Sequence, residues 1–208
     1  MNSARIWIPV FAVFGAHAVW AQAGEFWVNG GGSVLANGGL EAPPPSGGPG
    51  AVHLGNGFRF GFRYTLNSAG HFAHEIQYGY VRTTFTDTTG TILPDSVHAG
   101  TAIHQAGYNV VYYMRETREE VKSRVFATAG FHVNDYVLPG GAIPQGSSVK
   151  PGANVGVGFK YRLSPLVGFR MDFRQYVSGK PDWSGVLVNP RGGLIYQTEI
   201  TAGFGVVF

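Results

Sequence analysis

Thr198-Glu199-Ile200-Thr201-Ala202-Gly203-Phe204-Gly205-Val206-Val207-Phe208 ends the sequence, and its alternation decides the fold. Ile200, Ala202, Phe204, Val206 and Phe208 share one parity, while Glu199, Thr201, Gly203 and Gly205 share the other. Side chains of a strand point alternately to opposite faces, so the segment has one continuous apolar face and one small or polar face. In a soluble sheet the apolar face would be the core. Here the alternation recurs along the chain and the polar faces carry charges. That favours a closed barrel with its apolar face in lipid and a polar interior.

Seven further strand candidates precede it. The first, Glu25 to Leu35, contains Gly30-Gly31-Gly32, so its facing stays open. The others alternate clearly: Asn56 to Leu66, His71 to Thr83, Thr101 to Met114, Val121 to Val133, Ala153 to Leu163 and Leu166 to Val177. Their lengths are close to the roughly 9–11 residues that a tilted strand needs to cross a bilayer. The connections alternate as well. Asn67–Gly70, Arg115–Glu120 and Ser164-Pro165 are short, whereas Ala36–Gly55, Thr84–Gly100, Asn134–Gly152 and Ser178–Gly193 are long. Short turns at one end and long loops at the other are the asymmetry of an outer-membrane barrel, with the short end and both termini in the periplasm. The first long loop carries Pro43-Pro44-Pro45-Ser46-Gly47-Gly48-Pro49-Gly50, an irregular spacer.

Upstream, Arg5, the apolar run Ile6 to Trp20 and Ala21-Gln22-Ala23 read as a secretory signal peptide over residues 1–23, leaving 24–208 as one barrel domain. Its removal takes away Arg5 alone and lowers the formal charge from +3 to +2, too little to argue for nucleic acid. The sequence has no cysteine, which excludes a disulfide framework and thiolate chemistry. The 32 glycines have no collagen period; many fall on the polar parity of strands, where a narrow interior needs small side chains.

On these residues the chain resembles the small eight-stranded outer-membrane barrels of the OmpA/OmpX type. The resemblance implies an all-β, antiparallel up-and-down transmembrane β-barrel, monomeric, without cofactor, in contact with outer-membrane lipid. It also implies that Ile200, Ala202, Phe204, Val206 and Phe208 are the signal read by the barrel assembly machinery, although Val206 stands where an aromatic residue is frequent. The sequence ends without the periplasmic domain that OmpA-type proteins often carry, so a cell-wall tether is not expected.

Parity places Arg59, Arg63, Arg124, Lys160, Arg162, Arg170 and Arg174 inside, with Glu75, Asp172 and Glu199: seven positive charges against three negative. Outside, Arg or Lys at mid-bilayer would cost about 2–4 kcal/mol each. Folding about Ala69 pairs Arg63 with Glu75; Arg174 is the expected partner of Glu199, with Arg170 as the alternative. Eight strands leave an interior just wide enough for side chains to fill. The main expectation is therefore a self-satisfied polar plug, with a structural or surface-interaction role carried by the external loops. A narrow anion-favouring pore is the alternative.

A lipid-modifying enzyme is disfavoured: no histidine has a serine two residues on, as lipid A deacylases require. No pair of histidines is spaced to hold a metal. Tyr78, Tyr80, Tyr108, Tyr112, Tyr161 and Phe208 suit interfacial girdles. Trp183, in a long loop, suits either a surface contact or packing on its own loop. A periplasmic lipocalin-like carrier is the runner-up fold; it would place Phe60, Phe169 and Phe204 at the axis and Arg63 and Arg170 outside.

Overall fold

The computed structural model describes residues 24–41, 52–68, 70–87, 97–115, 121–138, 145–183, 185–187 and 189–208. The signal peptide, the proline-rich spacer and Ala69 lie outside them.

Among the described residues nine strands form one antiparallel sheet: β1 (Gly24–Ala36), β2 (Val52–Leu54), β3 (Gly57–Asn67), β4 (Phe72–Asp87), β5 (Val97–Tyr113), β6 (Ser123–Leu138), β7 (Gly146–Arg162), β8 (Val167–Gly179) and β9 (Leu194–Val207). Eight of them close a barrel in the order β1-β3-β4-β5-β6-β7-β8-β9, with β9 paired back onto β1. Each long strand bonds to its sequence neighbours, the up-and-down meander expected when short turns and loops alternate. Closure is sealed by Gly24 N–H to Phe208 O at 2.7 Å and Phe208 N–H to Gly24 O at 2.9 Å. Closure removes both sheet edges, which lipid could not hydrogen-bond.

The facing is decided by exposure. Phe60 and Phe204 are 41% and 60% exposed, whereas Arg63 and Arg170 are each 1% exposed. The apolar face therefore looks outward, and the lipocalin-like arrangement is excluded. Tyr78, Tyr108, Tyr112, Tyr161 and Phe208 are exposed on that outer wall. The open question of β1 is answered too: Glu25, Trp27, Asn29 and Ser33 are buried, while Phe26, Val28 and Val34 face out.

The strands run further toward the long-loop end than alternation indicates. β4 reaches Asp87, β6 reaches Leu138 and β7 begins at Gly146. Toward that end the outer wall also carries polar residues paired across strands. Ser147 donates to Asp135 at 2.6 Å and Thr198 donates to Gln175 at 2.6 Å. The short β2 extends the β3 side of β4, pairing Leu54 with Phe85 where β3 ends its pairing with Phe58 opposite Arg82. One extra residue between these pairs is a bulge, and it moves the inward parity from Arg59 to Leu54 and Val52.

Candidate functional site in the barrel interior

The inward side chains form three layers. The middle layer holds the charges. Asp172 accepts from Arg170 Nε at 2.8 Å, Arg63 Nη1 at 2.7 Å and Arg174 Nη2 at 3.0 Å. Glu75 accepts from Arg170 Nη1 at 2.5 Å and Arg174 Nη2 at 2.7 Å. Glu199 pairs with Arg59 and accepts from Gln197 at 2.7 Å. Tyr176 and Gln105 flank Arg59, and Gln77 accepts from Arg174 at 3.0 Å. All seven charged side chains are buried. Buried charges persist only when paired and hydrogen-bonded, and shared carboxylates meet that condition here.

Two pairings differ from the sequence expectation. The turn centres on Gly70 (φ +84°), not Ala69, so Arg63 lies opposite Gln77 and Glu75 lies opposite Thr65. Arg63 still reaches Glu75, but only at 3.9 Å, while Arg170 and Arg174 hold it closely. Arg174 does sit at the height of Glu199, as its direct neighbour across β8 and β9. Yet Glu199 bonds Arg59 instead, and Arg170 takes Glu75 and Asp172 rather than Glu199. Alternation gives height and facing. Which guanidinium crosses the lumen to which carboxylate depends on barrel curvature, and no single hairpin encodes that.

The layer at the short-turn end was only partly legible. Lys160 pairs with Glu25, a residue whose facing the glycine run concealed, and donates to Tyr113 OH at 2.7 Å. Trp27 Nε1 and Asn67 Nδ2 each donate to Glu25 at 2.9 Å. The Lys160 ammonium lies 5.2 Å from the Trp27 ring and 5.1 Å from the Tyr113 ring, within cation–π range. Arg170 stacks over Phe126 at 4.6 Å, joining this layer to the middle one. Arg124 is buried beside Tyr113, and Arg162 is half-buried at the rim. The overlooked signal was the polar parity of Glu25, Asn29 and Ser33 on either side of the glycines.

The layer at the long-loop end corrects the expectation of a wholly polar lumen. Val81, Phe85, Ile103, Tyr136, Leu138 and Ile195 point inward and pack with Leu40, Trp183, Val186 and Leu187 from the loops. Trp183 therefore does not face outward: it clusters with Val186 and Leu187 of its own loop and inserts against the strands, lying against Phe85, ring centroids 5.8 Å apart, with its indole N–H bonded to Tyr136 O at 2.8 Å. Its segment is tied down by Lys180 Nζ to Gly39 O at 2.6 Å, Ser148 Oγ to Asp182 at 2.6 Å and Arg191 N–H to Leu40 O at 2.8 Å.

The histidines of the barrel are placed as follows. Inside, His132 stands edge-on to Tyr176, and neither ring nitrogen is bonded among the described residues. Outside, His104 meets Tyr78 OH at 2.7 Å and His74 meets Tyr108 OH, each without a serine beside it. Among the described residues no three His, Cys, Asp or Glu side chains converge to hold a metal. Ile200, Ala202, Phe204, Val206 and Phe208 all project from the outer wall of β9.

No match was found among curated proteins. Solved structures do match. The outer membrane protein OprG of Pseudomonas aeruginosa is 15% identical, with a TM-score of 0.58 over 90% of this chain and 97% of that one. Ail, the attachment invasion locus protein of Yersinia pestis, solved in complex with the heparin analogue sucrose octasulfate, is 10% identical, with a TM-score of 0.55 over 91% and 100%. Neisserial surface protein A is 14% identical, with a TM-score of 0.53 over 88% and 97%. At such identities these likenesses speak for the fold alone. The profile of the outer membrane protein beta-barrel domain matches residues 10–208, nearly the whole sequence. The chain belongs to that outer-membrane β-barrel family, and its location is accordingly the outer membrane.

Proposed function

We infer that this barrel is a closed membrane anchor that presents its long-loop end at the cell surface, and that contacts made there are its function. One observation carries the reading: the lumen is filled twice over, by the arginine–carboxylate layer and by the apolar layer under Trp183. An aqueous path would have to break both. The loop segment around Trp183 is bonded to three other parts of the barrel mouth, which suits a fixed platform for a partner. The apolar stripe of β9 is read as the handle for the barrel assembly machinery, and the short turns as periplasmic.

Planar-bilayer recording tests the closed lumen. The expected trace has no steady conductance; a stable anion-selective current lost in Arg170→Ala would replace this reading with the pore. An epitope inserted between Pro45 and Ser46 should be reached by antibody on intact cells. An epitope in the Ser164-Pro165 turn should be reached only after permeabilisation. The reverse pattern would invert the barrel and remove the surface role.

A further inference from the structure

At the short-turn end, a recess opens between the start of β6 and the end of β7. It is lined by Lys122, Arg124, Lys160 and Arg162, with Glu25 and Trp27 at its inner wall. Four cations thus surround one carboxylate. That carboxylate is already engaged: Glu25 accepts from Lys160, Trp27 and Asn67. Lys160 is likewise occupied, by Glu25 and Tyr113.

Arg124 is different. It is 7% exposed, it lies over the face of Tyr113 at 5.5 Å, and among the described residues its buried Nη1 has no hydrogen-bond acceptor. A guanidinium nitrogen buried without an acceptor is costly, and such groups are normally satisfied by a ligand or water. The middle layer cannot supply an acceptor, because its three carboxylates are taken by four arginines. Lys122 is exposed at the entrance, where its ammonium can complete a second side of a ligand.

From this geometry we propose that the recess is an oxyanion-binding site for a phosphate group, with Arg124 as the inner donor and Lys122 as the outer one. A guanidinium fork suits tetrahedral phosphate oxygens, and the tyrosine face beneath it keeps the fork in place. Two sources carry that chemistry: free phosphate, or the headgroup of an anionic phospholipid in the leaflet that the rim touches.

The test uses the folded protein, with the thermal midpoint read by heat-modifiable gel mobility. One arm titrates inorganic phosphate against chloride at constant ionic strength in a non-ionic detergent. The other compares phosphatidylcholine vesicles with and without phosphatidylglycerol. A midpoint raised by phosphate identifies the free anion; one raised only by phosphatidylglycerol identifies the headgroup. In either case Arg124→Gln and Lys122→Gln should each weaken the response by about tenfold, the weight of one charge-assisted hydrogen bond. Arg115→Gln, an exposed cation at the same end, should leave it intact. Should Arg124→Gln fail to fold, the surface variant Lys122→Gln decides alone. The proposal is overturned if the wild type responds in neither arm, if Lys122→Gln responds like the wild type, or if Arg115→Gln loses as much as Lys122→Gln.

Discussion

Glu75 and Asp172 each serve more than one arginine, so they neutralise a layer rather than a partner. Removing one buried partner strands the others, which costs about 3–5 kcal/mol, whereas replacing a whole pair by apolar groups is often neutral. Glu75→Gln should therefore lower unfolding stability in lipid vesicles by roughly that amount. Arg59→Met combined with Glu199→Met should cost less than the sum of the two single changes. A strictly additive cycle would show that Arg59 and Glu199 do not act as a unit. The space for these arginines comes from glycine. A Cβ at Gly79 would lie 2.7 Å from Arg59 Nε, so the guanidinium lies where any side chain on β4 would stand.

The segment that follows β8 behaves as a closing element, because Trp183 supplies its hydrophobic contact and polar bonds fix its ends. Trp183→Ala should cost about 3–5 kcal/mol through the cavity it leaves. Residues 180–193 should then become accessible to protease while the barrel still migrates as folded. Asp182 adds a pH-sensitive tie. The Ser148 hydroxyl, and then Lys150 at 3.1 Å, hold its carboxyl below the usual carboxylate range. A lowered value means that the tie contributes fully above that range and is lost as pH falls through the lowered value. Hydrogen-exchange protection of residues 180–187, taken relative to the intrinsic rate at each pH, should accordingly fall in acid, and Asp182→Asn should flatten that pH dependence.

On the scale of the whole molecule, the barrel is inside out relative to a soluble protein only over its lipid-facing stretch. There the outer wall is aromatic and aliphatic and the interior is charged. Above it, polar residues (Asp135, Ser147, Gln175 and Thr198) appear on the outer wall among apolar ones such as Val149 and Tyr196, and an apolar cluster fills the interior. Water replaces lipid outside, so the hydrophobic effect again rewards an apolar interior. The exchange predicts opposite responses to charge along one strand. Ala202→Arg, six residues from Phe208 on the outer wall, should cost about 2–4 kcal/mol of folding stability in vesicles, while Thr198→Arg should be nearly neutral. Equal costs would place the hydrocarbon boundary elsewhere.

The eight barrel strands, the facing of all but the first, and the loop asymmetry were legible in the sequence because a period of two is local: each residue of β9 needs only its neighbours to declare its side. The short β2 within the first long loop was not. The charged interior followed from the same parity, Arg170, Asp172 and Arg174 being two apart. Tertiary structure alone decided the rest. Glu25 is a partner of Lys160 because β1 and β7 face each other across the lumen, 135 residues apart in sequence. Trp183 became a lid because the strands outrun the membrane and leave an apolar mouth for it to fill. Contacts across a closed barrel depend on curvature and register around the whole ring, and no single strand contains that information.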